Sequence, residues 1–256
     1  MIQLTILNGV GKITLDRPDK YHSFVKEMAL QLQEKLTECK ENQEIRAVLI
    51  TASGKAFCAG QDLIEATNPE GPSLTQIVEE HYNPIIKIIR EIEKPVVAAV
   101  NGVAAGAGAS IALCCDIVVA CESASFIQAF SKIGLIPDSG GTFFLPRLIG
   151  MQKATALMMT AEPVSAQEAL DMGMIYKVFS NNSFEEDSWE LVSKLALMPT
   201  KGLALTKKLL NQSYSNNLEE QLEEEKKSQM IAGDTTDYKE GTEAFLQKRK
   251  PKFKGK

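Results

Sequence analysis

Residues 94–120, KPVVAAVNGVAAGAGASIALCCDIVVA, decide the fold class of this chain. They predict a buried strand at Val96 to Val100, a turn at Asn101-Gly102, a glycine-rich segment, a helix and a second buried strand at 117–120. The glycines and Asp116 argue against a membrane span. Continuous apolar strands that alternate with helices are typical of a buried parallel sheet, so the stretch indicates an α/β protein.

The same alternation of strands and helices extends towards the N-terminus. The elements that periodicity predicts there are strands at 2–7, 12–16 and 47–52 and helices at 25–40 and 74–92. Asn8-Gly9 lies between the first two strands and is a strong signal for a hairpin turn. If the two strands of the hairpin are counted as one, the order up to residue 120 is therefore strand, helix, strand, helix, strand, helix, strand.

From about residue 140 the pattern becomes mainly helical. Ser165 to Glu168 and Ser183 to Glu186 both read as capping boxes, and a strand at 175–179 separates them. Beyond Pro199 only helices are predicted, at about 201–214, 218–232 and 237–249. We therefore divide the chain into an α/β core, residues 1–198, and a C-terminal all-helical region, residues 199–256.

Composition narrows the class of protein. The 256 residues are 44% hydrophobic and 24% charged, which is ordinary for a globular protein with a large core. A net charge of -5 lacks the basic footprint of a nucleic-acid binder. Five cysteines without a secretory signal indicate free thiols in a reducing cytoplasm. Only two histidines and no Cys-x-x-Cys pair are present, so no metal site is expected.

Two glycine-rich turns can present main-chain N–H groups to an anion. SGKAFCAGQDL, residues 53–63, follows a buried strand, and a positive φ at Gly60 would leave the next N–H, that of Gln61, free to donate. NGVAAGAGAS, residues 101–110, leads into a helix whose N-terminus offers unpaired N–H groups. The alternatives are a plain strand-to-loop turn at the first segment and close helix–strand packing at the second.

A third segment, IGLIPDSGGT at residues 133–142, carries a carboxylate at the start of a predicted helix. Asp138 can be an N-cap of that helix. Its apolar setting offers a second role, because a desolvated carboxyl has a raised pKa and can move protons. Two N–H donors and one carboxylate together can stabilise a thioester enolate and carry a proton between two carbons.

These three segments resemble the crotonase (enoyl-CoA hydratase/isomerase) family, and the resemblance covers essentially the whole chain. Further matching motifs are Asp16-Arg17-Pro18, residues 94–102 and Ala244 to Arg249. The resemblance implies a spiral of β-β-α turns followed by a helical region that serves oligomerisation. It also implies a homotrimer or a hexamer made of two trimers, an acyl-CoA thioester substrate, and no cofactor beyond the coenzyme A of that substrate.

The resemblance assigns roles by position. It places the two oxyanion donors on Gln61 and Ala107 and the acid/base carboxylate on Asp138. The family's hydratases carry two catalytic glutamates where this sequence has Ser110 and Phe130, so it implies an isomerase. The implied acyl-CoA contacts are Lys20, Ser23, Ala59, Gln61, Asp62, Leu63, Gly106, Phe130, Gly141, Phe245 and Lys248.

The expected reaction is isomerisation of an acyl-CoA. The candidate substrates are a ring-1,2-epoxyphenylacetyl-CoA, which would become an oxepin, and a linear 3-enoyl-CoA, which would become the 2-enoyl isomer. The alternatives are an enoyl-CoA hydratase of fatty-acid oxidation, a serine hydrolase built on Ser110, and a non-catalytic acyl-CoA-binding scaffold. We expect His22 and His81 to be structural, Cys58 to be no nucleophile, and the segment from His81 to Pro84 to lie near the acyl pocket.

Overall fold

Two β-sheets are wound together in a computed structural model that describes all residues, 1–256. The strands are β1 (Ile2–Leu7), β2 (Val10–Leu15), β3 (Ala47–Ala52), β4 (Ala56–Cys58), β5 (Val96–Val100), β6 (Val103–Ala105), β7 (Ile117–Cys121), β8 (Ser125–Ile127), β9 (Val164–Ser165) and β10 (Lys177–Phe179). Six form one sheet in the order β1-β2-β3-β5-β7-β10, and four form a second in the order β4-β6-β8-β9.

Twelve α-helices complete the fold. They are α1 (Lys26–Glu41), α2 (Leu63–Ala66), α3 (Leu74–Gln76), α4 (Asn83–Glu91), α5 (Ala107–Leu113), α6 (Gly141–Ile149), α7 (Met151–Thr160), α8 (Ala166–Asp171), α9 (Phe184–Ala196), α10 (Thr200–Gln212), α11 (Leu218–Gly233) and α12 (Thr236–Leu246). None of them combines the length and the apolar composition that a membrane crossing requires.

The chain passes from one sheet to the other at each turn. β3, β5 and β7 of the larger sheet are followed by β4, β6 and β8 of the smaller sheet, and helices then lead back. The pairs β3–β5 and β5–β7 are parallel, as are β4–β6 and β6–β8. This arrangement confirms the α/β class and the β-β-α spiral with a helical C-terminal region.

The N-terminal hairpin and the central strands follow the sequence closely. Asn8 and Gly9 have φ values of 51° and 80°, and β1 pairs antiparallel with β2. All five residues of β5 are buried. A strand covered on both faces needs an unbroken apolar sequence, so this part of the fold was predictable.

The helix predicted at 74–92 is interrupted by a π-helix. Residues Ile77–Tyr82 form this π-helix between α3 and α4, and the Asn83 N–H bonds to the Val78 carbonyl five residues earlier. Pro84 follows at the start of α4. A proline lacks an N–H, and in a regular helix its ring clashes with the carbonyl four residues earlier, so the wider turn accommodates it.

Two details of the helical half differ from expectation. The Ser165–Glu168 capping box is present, but the one predicted from Ser183 to Glu186 is wrong. The Ser183 hydroxyl donates to Asp187 Oδ2 at 2.6 Å instead of accepting a main-chain N–H. The last helix ends at Leu246, because Lys248 has a φ of 56°, in the left-handed region.

The chain end is anchored to the helical region. The carboxylate of Asp237 accepts the main-chain N–H groups of Lys254 and Gly255 at 2.6 and 2.7 Å. Arg46 of the core donates to the Phe253 carbonyl at 2.9 Å. These hydrogen bonds hold the last residues of the chain against helix α12 and the core, although their lysine side chains are exposed. The boundary near residue 198 stays a prediction.

Candidate active site

The two predicted N–H donors lie in turns that touch each other. A β-carbon on Gly60 would lie 2.9 Å from the Ala105 oxygen and 3.4 Å from the Ala107 nitrogen. Neither the Gln61 N–H nor the Ala107 N–H donates in any main-chain hydrogen bond. Two free N–H donors in adjacent turns can both donate hydrogen bonds to one developing oxyanion.

Main-chain hydrogen bonds set the direction of the Gln61 donor. The Phe24 N–H donates to the Gly60 carbonyl at 2.7 Å, and the Asp62 N–H donates to the Phe24 carbonyl at 2.9 Å. A trans peptide directs its N–H opposite to its C=O, so the Gln61 N–H points away from Phe24. The positive φ of 86° at Gly60 makes this turn possible.

The glycines around Ala107 serve both of the purposes considered from the sequence. Gly106 precedes the helix with φ 53° and ψ -127°, a conformation that favours glycine. A β-carbon on Gly108 would lie 2.5 Å from the Cys58 oxygen, so Gly108 allows α5 to pack on β4. Close packing and an open helix N-terminus are thus achieved by different glycines.

Asp138 is not the N-cap of the following helix. Helix α6 begins at Gly141, its N-cap is Gly140, and no side chain caps it. The half-buried Asp138 carboxylate instead accepts a hydrogen bond from the Ser139 hydroxyl at 2.9 Å. Burial raises the pKa of Asp138, and the bond from Ser139 opposes part of that rise. A carboxyl with a raised pKa suits a group that both accepts and returns a proton.

The residues at the two hydratase positions lie in the same region. A β-carbon on Gly141 would lie 2.9 Å from Ser110 Oγ, and one on Gly106 would lie 3.9 Å from the Phe130 ring. Ser110 and Phe130 are both buried. The fold therefore brings Gly106, Phe130 and Gly141 together around the turns that carry Ala107 and Asp138, although they are distant in sequence.

A hydrogen-bonded chain of side chains runs beside Gln61. The Tyr82 hydroxyl donates to Gln61 Oε1 at 2.9 Å, and Gln61 Nε2 donates to Glu65 Oε2 at 3.2 Å. Tyr82 belongs to the segment expected near the acyl pocket. Its bond to Gln61 was not predicted, because the two residues are 21 positions apart and no local pattern links them.

Asp62 and Ser23 make contacts that stabilise the loop. Arg17 pairs with Asp62 Oδ2 at 2.8 Å and donates to the Ser23 carbonyl at 2.7 Å. Asp62 Oδ1 also accepts the Ile64 N–H at the start of α2. Burial opposes the charge of Asp62, but the hydrogen bonds from Arg17 and the main chain outweigh it and lower its pKa.

The remaining predicted contact residues are solvent-accessible. Ala59 and Leu63 are exposed on either side of Gly60, and Lys20 is exposed in the segment between β2 and α1. Phe245 at the end of α12 is 83% exposed, and Lys248 lies just beyond the helix. Contacts of these five residues with coenzyme A stay predictions.

The histidines and Cys58 do not form a nucleophilic site. His22 is neutral with its proton on Nε2, because Nδ1 accepts the Arg17 N–H at 2.9 Å and Nε2 lies 2.7 Å from the Ser53 carbonyl. Burial lowers the pKa of His22 and raises that of Cys58 to about 12. His81 is buried, yet neither ring nitrogen has a partner, which differs from the satisfied structural histidine expected.

The surroundings of Ser110 and the distribution of His, Cys, Asp and Glu side chains bear on two other kinds of chemistry. The Ser110 hydroxyl is buried and has no hydrogen-bond partner, so no histidine activates it as a hydrolase would require. No group of three His, Cys, Asp or Glu side chains is placed to hold a metal ion.

Comparisons with known proteins bear on this arrangement. Residues 5–256 match the family model described as enoyl-CoA hydratase/isomerase. The chain is 45% identical to the 1,2-epoxyphenylacetyl-CoA isomerase of Escherichia coli (strain K12), covering 97% of this chain and 96% of that protein. It is 41% identical to a Rhodobacter capsulatus protein named "Probable enoyl-CoA hydratase", covering 100% and 98%. The crystal structure of an enoyl-CoA hydratase from Bacillus anthracis superposes with a TM-score of 0.92 at 34% identity, covering 100% and 99%.

The fold and the site together define an α/β spiral protein with two unpaired main-chain N–H groups in adjacent turns. The chain belongs to the enoyl-CoA hydratase/isomerase family, also called the crotonase family. It is a crotonase-family enzyme, and this family acts on CoA thioesters.

Proposed function

We propose that this enzyme isomerises an acyl-CoA by binding its thioester oxygen to the Gln61 and Ala107 N–H groups while Asp138 moves a proton. The observation that carries the proposal is the juxtaposition of two unpaired N–H donors in touching turns. The half-buried Asp138, whose carboxylate is not used as a helix cap, supports it further.

The steps follow from the charges that each group stabilises. Asp138 accepts a proton from the carbon next to the thioester carbonyl, and the electrons left behind move onto the thioester oxygen. The two N–H groups stabilise this enolate more than the neutral thioester, which lowers the barrier. Asp138 then returns the proton to a carbon further along the chain or ring, so the product is an isomer.

The preferred substrate in this proposal is a ring-1,2-epoxyphenylacetyl-CoA. The proton would leave the side-chain CH₂ and return to a ring carbon, while the bond between the two epoxide carbons opens to give the seven-membered oxepin. The 45% identity to the E. coli isomerase supports this choice. A linear 3-enoyl-CoA requires the same proton transfer, from C2 to C4, and is the second substrate class.

Hydration is the main alternative, and the name of the Rhodobacter capsulatus relative favours it. Water addition needs groups that hold and activate a water molecule, and the family's hydratases use two glutamates for this. Ser110 and Phe130 occupy those positions here, and neither can act as a general base at neutral pH. A non-catalytic scaffold would have no need for the raised pKa of Asp138.

A substrate panel tests the proposal. The purified enzyme is incubated with the ring epoxide, linear 3-enoyl-CoA and 2-enoyl-CoA esters, and products are identified by mass spectrometry and ultraviolet absorbance. We expect isomers of unchanged mass from the first two and no gain of 18 mass units from the third. Hydrated product at a comparable rate would replace the proposal with a hydratase, and binding without any turnover would favour a scaffold.

A further inference from the structure

Tyr82 supports the Gln61 turn through two separate contacts. Its hydroxyl holds the Gln61 side-chain carbonyl at 2.9 Å. Its ring packs against Phe24 with a centroid distance of 5.8 Å and an interplanar angle of 58°. Phe24 in turn donates the main-chain bond that orients the Gly60–Gln61 peptide. One buried side chain therefore contacts both groups that restrain the donor peptide.

The Gln61 side chain is fixed at both ends of its amide. Oε1 accepts from Tyr82, and Nε2 donates to Glu65 Oε2 at 3.2 Å. Glu65 is itself held, because its carboxylate accepts the Lys26 N–H at 3.0 and 3.1 Å. A side chain bonded in this way restricts the backbone dihedrals of its own residue, and thereby the direction of the Gln61 N–H.

The π-helix places Tyr82 at this point. The π-helix contains one extra residue per turn and ends at Tyr82, two residues before Pro84. The Tyr82 side chain is fully buried at this point. Helix α4 continues beside the turn that follows Asp138, since a β-carbon on Gly140 would lie 3.7 Å from Ile86 Cγ2. Burial raises the pKa of Tyr82, and the nearby carboxylates of Asp138 and Glu65 add to this rise, so the hydroxyl stays protonated as a donor.

We propose that Tyr82 is a positioning residue that aligns the Gln61 N–H with the thioester oxygen through the Gln61 side chain and the Phe24 ring. The strength of a hydrogen bond falls steeply when its angle departs from linearity. A small rotation of the Gln61 peptide therefore weakens oxyanion binding most when the charge on the oxygen is largest. This inference rests on the proposed function, since it assigns Tyr82 a part in that same site.

The first test is Tyr82→Phe, which keeps the ring against Phe24 and removes only the hydroxyl. We expect kcat to fall about tenfold, which corresponds to about 1.4 kcal/mol, with KM within about twofold of wild type. Tyr176→Phe is the matched control, because Tyr176 is 55% exposed, and it should leave both constants unchanged. An unchanged kcat in Tyr82→Phe would overturn the proposal.

A double-mutant cycle identifies the route of the effect. Gln61→Met removes the side-chain amide and keeps the main-chain N–H. If Tyr82 acts through the Gln61 amide, adding Tyr82→Phe to Gln61→Met costs no further activity. Losses that multiply would show that the Tyr82 hydroxyl acts independently of Gln61, which contradicts the proposed route.

A spectroscopic measurement separates this proposal from the proposed reaction. Butyryl-CoA with a ¹³C-labelled carbonyl has no double bond to move, so its carbonyl stretch reports the hydrogen bonds to the oxygen without turnover. We expect a lowered stretching frequency on the wild-type enzyme and a smaller lowering on Tyr82→Phe. An equal lowering on both, or none on the wild type, overturns the role of Tyr82. The expected shifts without isomerase turnover would overturn the reaction and leave that role intact.

Discussion

At the scale of single residues, the proposed chemistry depends on a carboxyl group whose surroundings oppose its charge. We expect Asp138→Asn to lower turnover of the isomerised substrates about 10³-fold, because the amide cannot accept the proton. Thermal melting at pH 8 should show a variant at least as stable as wild type, because a neutral amide carries no cost of burying charge. Turnover within tenfold of wild type would remove Asp138 from the mechanism.

The raised pKa of Asp138 also predicts how the rate depends on pH. The carboxyl must be ionised to accept the first proton, so kcat/KM falls as the pH is lowered through the pKa of Asp138 in the free enzyme. Burial favours the protonated form, and this acidic limb should therefore lie above the ordinary aspartate pKa of about 3.9. Removing the Ser139 hydroxyl with Ser139→Ala should move the limb to higher pH. A limb that moves lower or stays fixed would contradict the assigned cause.

At the scale of elements, buried charges attach helix α10 to the core. Lys207 Nζ lies 2.8 Å from Asp116 Oδ2 and donates to the Ile89 carbonyl at 2.7 Å. Arg90 also pairs with Asp116, at 3.1 Å. Because Lys207 is only 8% exposed, water has little access to its ammonium group and cannot take the place of these partners.

This anchor predicts a stability difference between two lysines on one helix. We expect Lys207→Met to lower the free energy of unfolding by about 2 kcal/mol, since Asp116 keeps Arg90 as a partner. Lys201→Met, which removes an exposed pair with Glu93, should change it by less than about 0.5 kcal/mol. Urea denaturation of both variants measures the difference, and equal effects would argue against an energetic role for the buried pair.

Some elements could be predicted from sequence because their environment leaves a local trace. β5 is an unbroken apolar run, β3 is apolar from Ala47 to Ile50, and the hairpin has its Asn-Gly turn. The strands β4, β6 and β8 have three residues each, which is too short to show a period, and only the resemblance to the family implied them. The pattern at Ser183 matches a capping box, but its φ of -105° and ψ of -4° put the residue in a helical rather than an extended conformation.

The site divides in the same way. Gln61, Ala107 and Asp138 lie in glycine-rich segments that the sequence marks. The residues themselves indicated the Gln61 donor and the Asp138 carboxyl, whereas the resemblance placed the second donor on Ala107. The hydrogen bonds from Tyr82 and to Glu65 that hold the Gln61 side chain are tertiary contacts, which no local sequence pattern predicts. Pro84 was the one sequence signal for the π-helix that places Tyr82 there.

At the scale of the whole molecule, large apolar side chains remain at the surface of a single chain. Ile136 is 81% exposed, Met159 74% and Leu246 81%. The resemblance to the family implies a trimer or a pair of trimers, and we expect such an assembly to cover part of this apolar surface. Light scattering coupled to size-exclusion chromatography should give three or six times the chain mass of 28.0 kDa. A monomer or dimer mass would contradict the assembly.

The two proposed oxyanion donors belong to the backbone, and Gly60 and Gly106 shape the turns that present them. No side-chain exchange at positions 61 or 107 can delete an N–H, short of introducing proline. Laboratory evolution towards a new reaction should therefore keep both glycines and vary the side chains proposed to meet the acyl group. Positions 110, 130 and 138 are the ones to randomise. Every variant in such a library would keep the two main-chain N–H groups proposed to stabilise the enolate. The variants would differ only in the side chains that place protons and water next to the acyl group.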